Sequence, residues 1–419
     1  MSRPSLLAHR DFRLLLLGQT TSQLGAQVSG VAIPLLAVLG LDASPLELGV
    51  VTGSGTVAFA LVGLPAGAWL DRSRRRWILV TSDLSRAVLL ATIPLAAAFG
   101  VLTIGQLVAV SLLSGFGRVF FDIGYQSYLP CVIGSEHVLS GNSALQSVRS
   151  GGQIAGPGIG GWLVTAIGAA NVVLVQAASF VVSAVALLAV GTREPRAIAV
   201  PNRPSLRADV LAGLAFVWRN QVLRATAITS AGNNLGFAIA SAVAFIFMSR
   251  RLDLSPAAIG LIVGAGSLTV LIGAAVTPAL SRRVGPVRLI WVSLAVTGPL
   301  TALGPLAQPG PLVVLLVLGS AVGELGQIVY AITNVSLRQR YCPEGMLGRV
   351  NATMQVLIMG LFPLGALLGG VLGEVIGVRG TLWASVGVAV VSTLPLFRVL
   401  RGARSYVDLP AWDQDPQAP

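Results

Sequence analysis

The sequence predicts an all-α integral membrane protein with twelve transmembrane helices in two pseudo-symmetric six-helix bundles. Apolar residues make up 54% of its 419 residues, charged residues make up only 11%, and the mean hydropathy is +0.81. A soluble domain carries about 25% charged residues. A glycine-rich segment at 156–161 recurs at 365–370, 209 residues later, which is almost half the chain. Such a duplication is typical of two-bundle transporters.

Long apolar runs define the predicted spans. Each run is long enough to cross the roughly 30 Å hydrocarbon core of a bilayer as a helix. The charged N-terminus and the length of the first run argue against a cleaved signal peptide, so we expect this span to be retained. The predicted spans are 14–39, 46–70, 77–98, 104–128, 142–166, 171–191, 221–248, 256–280, 287–306, 311–336, 349–373 and 379–399.

The distribution of arginine predicts the orientation. All 28 basic residues are arginine, a composition that suggests a bacterial genome. Loops and termini on the N-terminal side of the predicted membrane hold 22 of them, and the opposite side holds three. Because cytoplasmic loops carry the excess of basic residues, we expect both termini to lie in the cytoplasm and the protein to lie in the plasma (inner) membrane. The absence of lysine excludes a G-x-x-x-x-G-K-[ST] phosphate loop and an ATPase of that type.

The predicted organisation has four parts. Residues 1–191 form the first bundle and residues 221–404 form the second. Between them, 192–220 is a cytoplasmic linker with a proline-containing first part and an amphipathic, interfacial helix in its second part. The polar tail 405–419 is predicted to be disordered.

The repeated glycine segment has two interpretations. Gly156, Gly158 and Gly161 fit the G-x-G-x-x-G fingerprint of dinucleotide-binding loops, which requires a preceding strand and a soluble βαβ unit. The position of the segment in the middle of the fifth span argues against this interpretation. Glycine lets neighbouring membrane helices approach closely, and Pro157 removes a backbone donor and permits a bend. We therefore expect tight packing here, and a fifth span that lets the two halves rock.

Three motifs carry a resemblance to one family. The loop 67–76, GAWLDRSRRR, resembles the signature loop between spans two and three of the major facilitator superfamily. Residues 117–142 are similar to the branch of that superfamily that contains macrolide-efflux and enterobactin-export proteins. The fifth span resembles the antiporter motif of its drug exporters, at Gly152, Gly156, Pro157, Gly160 and Gly161.

The resemblance implies a cytoplasmic latch at the signature loop. In such a latch Asp71 faces the N-terminus of the eleventh span near Arg349, and a carboxylate suits a helix N-terminus electrostatically. It also implies that Arg75 pairs with Asp122 at the end of the fourth span, and that these contacts latch the outward-facing state. An ordinary basic loop is the alternative, and Ser281 replaces the acid in the second half, where any latch is weaker. The gate candidates are Gly67, Asp71, Arg72, Arg75 and Asp122.

Ionisable residues within predicted spans are costly to bury and are functional candidates by default. Glu324 lies near the middle of the tenth span, where a poorly solvated carboxylate can take up a proton. Neutralisation by an arginine such as Arg118 or Arg149 is the alternative. For Asp83 and Arg86, three residues apart on the third span, we expect a local ion pair. The proton-coupling candidates are Glu324, Asp122 and Arg118.

Polar residues within the spans predict a substrate cavity. Gln19, Gln23 and Gln27 lie four residues apart on the first span and share a helix face that should avoid lipid. Cavity lining is our interpretation, and hydrogen bonds between helices are the alternative. An amide-rich cavity suits an apolar or zwitterionic solute with hydroxyl and carbonyl groups. The cavity candidates are Gln19, Gln23, Gln27, Arg149, Asn233, Gln327 and Tyr330.

Together these features predict a secondary active transporter. We expect a proton-coupled antiporter that exports small amphiphilic compounds, such as an antibiotic, a drug or a siderophore, by alternating access. A nutrient or metabolite importer on the same scaffold is the alternative, against which the antiporter-like segment argues. No catalytic constellation is recognisable, and two cysteines and two histidines are too few and too scattered for a zinc site. We expect no enzyme activity, cofactor or metal; the expected partners are a small molecule, protons and membrane lipid, without nucleic acid, and the protein is expected to be a monomer.

Overall fold

The computed structural model of the protein describes residues 9–70, 74–192 and 206–409. Within these residues the regular secondary structure is helical, and the helices group into two compact units. Unit 1 comprises the described parts of Met1–Pro201 and Leu254–Gly264, and unit 2 comprises those of Asn202–Asp253 and Ala265–Pro419.

Unit 1 is built from six long helices and the beginning of α9, a helix that the sequence had grouped entirely with the second half. Phe12, Leu79, Tyr128 and Leu187 from four of these helices meet in a buried core at one end of the unit. The helices are α1 (Arg10–Leu35, continued by a π-helical turn Leu36–Gly40), α2 (Pro45–Leu70), α3 (Arg75–Ala98), α4 (Ile104–Ile133), α5 (Val138–Ile167), α6 (Ala169–Ala189) and α9 (Pro256–Val284) up to Gly264.

Unit 2 contains the rest of α9 and eight further helices in its described residues. Two predicted spans are each divided in two, because Pro305 and Pro395 cannot donate a backbone hydrogen bond within a continuing helix. The helices are α7 (Leu206–Arg219), α8 (Gln221–Ile246, continued by a π-helical turn Phe247–Arg251), α10 (Pro286–Leu300), α11 (Leu303–Leu306), α12 (Val313–Tyr341), α13 (Glu344–Val375), α14 (Gly377–Ser392) and α15 (Leu394–Leu400).

Ten helical stretches of the described residues are long and apolar enough to cross a membrane. Helices α2 and α5, with 26 and 30 residues, are not among the ten. In α5 the many glycines and polar side chains lower the mean hydropathy. The number of twelve spans therefore stays a prediction.

Both units repeat one helix contact. A methyl group on Gly160 of α5 would lie 2.7 Å from the carbonyl oxygen of Val28 on α1. In unit 2, a methyl group on Gly369 of α13 would lie 2.8 Å from Cα of Ile239 on α8. The glycines correspond under the repeat seen in the sequence, so the duplicated motif builds the same close packing twice.

A second repeat, L-D-x-S-P, escaped the sequence analysis. It follows the two π-helical turns, and its aspartates, Asp42 and Asp253, adopt left-handed backbone conformations with φ of 51° and 53°. Aspartate tolerates this conformation better than most residues. The hydroxyl oxygens of Ser44 and Ser255 then accept hydrogen bonds from backbone N–H groups three residues later, both at 3.3 Å. The motif thus ends one helix and begins the next, at α2 and at α9.

Part of the predicted disordered tail is folded. Tyr406–Asp408 forms a 3₁₀ turn, and the Asp408 carboxylate accepts hydrogen bonds from the backbone N–H groups of Arg404 and Ser405 at 2.8 and 2.7 Å. The N–H of Val287 donates to the carbonyl oxygen of Arg404 at 3.3 Å. The prediction of disorder was therefore wrong for 405–409, because these local caps and contacts with α10 satisfy the backbone. Residues 410–419 lie outside the described part of the chain.

The predicted interfacial linker helix corresponds to α7. A methyl group on Gly213 would lie 2.9 Å from the carbonyl oxygen of Arg349, so α7 packs closely against α13. Val217 is fully buried in the cluster that includes Val350 and Met354 of α13. The helix therefore belongs to the packing of unit 2, and residues 193–205 of the linker lie outside the described residues.

Candidate functional site

The antiporter-like glycines of α5 are contact points for two other helices. A methyl group on Gly156 would collide with Cβ of Gln27 on α1, and one on Gly161 would collide with the backbone of Pro256 and Gly260 on α9. Helix α5 continues through Pro157, which is buried. Gly152 is less constrained, because a methyl group there would lie 3.8 Å from the Gln27 side chain. The segment therefore permits backbone-to-backbone contact within unit 1.

The glutamine stripe of α1 is half-buried along its length. Gln27 packs against the glycine face of α5, so this end of the stripe contacts another helix. Further along α1, the side-chain oxygen Oε1 of Gln19 is buried and makes no hydrogen bond among the described residues. A buried amide oxygen without a donor is unfavourable, so this oxygen of Gln19 is unsatisfied in the interior of unit 1.

The expected pairing of Arg75 with Asp122 is not present. The Arg75 guanidinium donates to the carbonyl oxygen of Ser127 at 3.1 Å and to Sγ of Cys131 at 3.3 Å. Ser127 lies five residues after Asp122, about 140° around α4 and about 7.5 Å along it. Asp122 consequently lies on another face of the helix, beyond the reach of the Arg75 contact.

Asp122 instead pairs with Arg118 on its own helix. Their side-chain atoms Oδ2 and Nε are 3.6 Å apart, and both side chains are at least half exposed. Arg149 on α5 is also exposed. Of the remaining gate candidates, Gly67 lies in the last turn of α2, and Asp71 and Arg72 lie outside the described residues.

The expected ion pair between Asp83 and Arg86 on α3 is confirmed. Nη1 of Arg86 lies 3.4 Å from Oδ1 of Asp83, and both side chains are buried. The Arg86 guanidinium lies over the ring of Phe180 on α6, 3.8 Å from its centroid. A cation over an aromatic face is stabilised electrostatically, so the pair is held by α6 as well as by α3.

Two cavity candidates of unit 2, Tyr330 and Asn233, are buried in two separate groups of hydrogen bonds. The Tyr330 hydroxyl on α12 is 2.6 Å from the Ser230 hydroxyl on α8, and it also receives a hydrogen bond from Asn334 at 3.2 Å. Asn233 donates to the carbonyl oxygen of Thr229 at 3.0 Å. Tyr330 and Asn233 are only 4% and 6% exposed. Within unit 2 they therefore connect helices, which was the alternative interpretation for the polar residues.

Gln327 is a half-buried hydrogen-bond partner of Asn233. Its Nε2 donates to Oδ1 of Asn233 at 3.2 Å, which connects α8 to the less buried part of α12. The sequence analysis missed Ser230 and Asn334. Their spacing of four residues from Asn234 and from Tyr330, on faces already rich in polar groups, was the signal that could have identified them.

Glu324 lies one turn before Gln327 on α12 and is half-buried. A methyl group on Gly266 of α9 would be 3.8 Å from Cγ of Glu324, so α9 passes close to this side chain without a side chain of its own there. No arginine of the described part of unit 2 forms a salt bridge with Glu324. The described residues also contain no group of three or more His, Cys, Asp or Glu that could hold a metal ion.

Comparisons with known proteins agree with this helical architecture. The family profile of the Major Facilitator Superfamily matches residues 15–361 and, in a second match, residues 226–415. The chain is 31% identical over 385 residues to the multidrug efflux pump Tap of Mycolicibacterium fortuitum, a match that covers 88% of this chain and 91% of the relative. It is 28% identical over 353 residues to the enterobactin exporter EntS of Escherichia coli, covering 83% and 81%.

Solved structures share the fold. A bacterial homologue of the iron transporter ferroportin superposes with a TM-score of 0.76 at 19% identity, covering 94% of this chain and 99% of that one. The nucleoside transporter NupG gives a TM-score of 0.76 at 14% identity, covering 93% and 98%. The resemblance seen in the sequence is thereby confirmed: the chain belongs to the major facilitator superfamily, as an all-α, multi-pass membrane transporter and not an enzyme.

Proposed function

We propose that this transporter exports small amphiphilic compounds from the cytoplasm in exchange for protons. The observation that carries the proposal is the similarity to a multidrug efflux pump over 88% of the chain. The similarity to an enterobactin exporter points in the same direction of transport. The two named activities share export, whereas their solutes differ, so the proposed substrate class is amphiphilic and broad.

Glu324 is the proposed site of proton exchange. Its carboxylate is half-buried in the middle of a membrane helix and has no salt-bridge partner in the described part of unit 2. Burial disfavours the charged form of a carboxylate, which supports Glu324 as a group that binds and releases a proton. The exposed pair Asp122–Arg118 is the second place where a proton could change the charge pattern.

The proposed solute contacts are the half-buried or exposed polar groups of each unit. In unit 1 these are the glutamine stripe of α1 and Arg149, and in unit 2 the group is Gln327. Their amides and guanidinium can bind hydroxyl and carbonyl groups of a solute. We assign Asn233 to the support of Gln327, because it is buried and accepts the hydrogen bond of Gln327, and Tyr330 to the contact between α12 and α8.

The proposed cycle opens the solute pathway alternately to the two sides of the membrane, without a cofactor. We place the protein in the plasma membrane, acting as a monomer with both termini in the cytoplasm, because arginine is concentrated in the loops on that side. Asp71 and Arg72 in the signature loop are the proposed latch of one state. The Arg75 contact with Ser127 and Cys131 connects the beginning of α3 with the end of α4, next to this loop.

Transport by everted membrane vesicles tests the proposal. The lumen is made acidic and uptake is followed for tetracycline, a zwitterion rich in hydroxyls and carbonyls, for enterobactin and for cationic ethidium. One proton exchanged for one neutral solute supports about tenfold accumulation per pH unit. For Glu324→Gln we expect gradient-driven accumulation of the transported probe to disappear, because the glutamine cannot bind and release the proton.

Glu136→Gln is the matched control, because Glu136 is an exposed loop carboxylate beside His137. It should accumulate solute as the wild type does. Accumulation by Glu324→Gln at the wild-type level would remove Glu324 from the proposal. Acid-driven loss of all three probes from the lumen, instead of accumulation, would contradict export and favour import.

A further inference from the structure

Unit 1 contains a fully buried carboxylate that the proposed cycle does not yet use. The side chain of Asp83 is 0% exposed. Its oxygen Oδ1 faces Arg86 at 3.4 Å, a long distance for a charge-assisted hydrogen bond. Its other oxygen, Oδ2, is buried and makes no hydrogen bond of regular geometry among the described residues, although the hydroxyl of Ser183 on α6 lies near the carboxylate. A structural ion pair is expected to satisfy both oxygens, so this carboxylate is incompletely stabilised in its charged form.

The surroundings of Arg86 favour a positive charge. Its guanidinium is 3.8 Å from the ring centroid of Phe180 on α6 and 5.8 Å from that of Phe121 on α4. A methyl group on Gly117 of α4 would be 2.8 Å from Cγ and Cδ of Arg86, so the absence of a side chain there admits the arginine. Arginine keeps its charge in proteins, and the two rings stabilise that charge independently of Asp83.

A second carboxylate lies on the helix that packs against Arg86. Gly117 and Phe121 of α4 lie next to Arg86 and directly precede Arg118 and Asp122 in the chain, and Asp122 is half exposed. From α6, the group that faces Asp83 is the neutral hydroxyl of Ser183. The interior of unit 1 thus holds the pair Asp83 and Arg86, and the exposed face of α4 holds the pair Asp122 and Arg118.

We propose that Asp83 is a proton-binding site of unit 1 and that Arg86 exchanges its partner between Asp83 and Asp122. A proton from water adds to a carboxylate oxygen of Asp83, which becomes neutral. Arg86 keeps its proton and its charge, moves toward Asp122, and weakens the contact of Asp122 with Arg118. Loss of the proton reverses these steps. The pairing of Asp122 and Arg118 on the exposed face of α4 therefore depends on whether Asp83 is protonated.

The inference depends on the proposed proton-coupled export in one respect only, namely that the proton bound by Asp83 drives transport. Proton binding by Asp83 itself does not depend on it. The test is therefore a measurement without solute: proton uptake by the purified protein between about pH 8 and about pH 5. We expect Asp83→Asn to take up about one proton fewer per molecule than the wild type. We expect the same loss for Arg86→Met, because without the cation Asp83 stays protonated throughout this range.

The double variant Asp83→Asn/Arg86→Met protects the test against misfolding, because a neutral pair of similar size is tolerated in a buried site. It should show the same loss of about one proton and should melt cooperatively. Asp122→Asn should keep the uptake but move its midpoint to lower pH, because Arg86 then has no second carboxylate. In a variant that combines Glu324→Gln with Asp83→Asn, the reduction in proton uptake should equal the sum of the reductions in the two single variants.

Uptake by the folded double variant equal to that of the wild type would overturn the proposal and leave a purely structural ion pair. An unchanged midpoint in Asp122→Asn would overturn the exchange of partners. Failure of the proposed export can be distinguished from failure of the Asp83 proposal. In the first case the vesicles accumulate no solute, while the purified protein still takes up the Asp83 proton.

Discussion

The interiors of the two units differ in the kind of polar group that they bury. Unit 1 buries an ion pair, Asp83 with Arg86, supported by the aromatic ring of Phe180. Unit 2 buries neutral hydroxyl and amide groups, among them Tyr330 and Ser230, which hydrogen-bond at 2.6 Å. The helix contacts at the repeated glycines are nevertheless the same in both units. Duplication has thus kept the backbone packing and diversified the buried chemistry: unit 1 holds a fully buried carboxylate, Asp83, whereas Glu324 of unit 2 is half-buried.

The largest effect should come from breaking the ion pair of unit 1. Arg86→Ala leaves Asp83 without its cation, and the loss of one partner of a buried pair costs about 3–5 kcal/mol. Because Asp83 can become neutral by taking up a proton, the loss should be smaller at acidic pH. Unfolding of the purified protein in detergent, followed by circular dichroism against temperature and denaturant, measures the change.

Tyr330→Phe is the counterpart in unit 2 and Arg118→Ala is the control for an exposed pair. Removal of the Tyr330 hydroxyl should cost about 1 kcal/mol, at acidic and neutral pH alike, because its partners Ser230 and Asn334 are neutral. Arg118→Ala should cost less than about 1 kcal/mol. A loss of unfolding free energy in Arg86→Ala as small as that in Arg118→Ala would mean that the buried ion pair does not distinguish unit 1 from unit 2.

An intermediate effect should come from the repeated glycines, and here the two units should behave alike. Gly160→Ala and Gly369→Ala place a methyl group against the backbone of Val28 and of Ile239. Overpacking of this kind costs about 1–3 kcal/mol. The same unfolding measurement tests whether both units lose stability to a similar extent.

Gly151→Ala and Gly360→Ala are the matched controls on the same two helices. They are also related by the repeat, and a methyl group at either position meets nothing within 4 Å. Since alanine is favoured over glycine within a helix by about 0.5–1 kcal/mol, these variants should be unchanged or slightly more stable. Destabilisation by the controls as large as that by Gly160→Ala would show that helix contact is not the cause.

The smallest effect should come from the C-terminal turn, which belongs to unit 2. Hydrogen bonds from the backbone N–H groups of Ser405 and Arg404 hold the pKa of Asp408 below its ordinary value of about 4. Because this pKa is lowered on folding, its stabilisation is present above about pH 4 and is lost as the pH falls through the lowered pKa. Asp408→Ala should release the turn at neutral pH and make the bond after Arg404 more sensitive to trypsin.

Asp413→Ala is the control for this last experiment, because Asp413 lies in the tail beyond the turn. It should leave the rate of cleavage after Arg404 unchanged. Equal rates in Asp408→Ala and the wild type would mean that the caps do not hold the turn in solution.

The pairing of the charged residues shows how far the sequence could predict the site. The Asp83–Arg86 pair was predictable, because both residues lie on one helix at a fixed spacing. The pairing of Arg75 with Asp122 is absent from this structure, since it depends on the rotation of α4 relative to α3, which places Ser127 and Cys131 near Arg75. The latch residues Asp71 and Arg72 stay a prediction.

The sequence by itself determined that this chain is a helical membrane protein with an internal duplication, because apolar composition, run length and motif spacing are properties of continuous segments. It also determined the family, through motifs that are local as well. Only the tertiary structure decided which polar groups meet: that Gly117 leaves room for Arg86, and that Tyr330 is buried against Ser230. These contacts join segments far apart in the chain, and their geometry depends on helix rotation and side-chain reach, which no local pattern specifies.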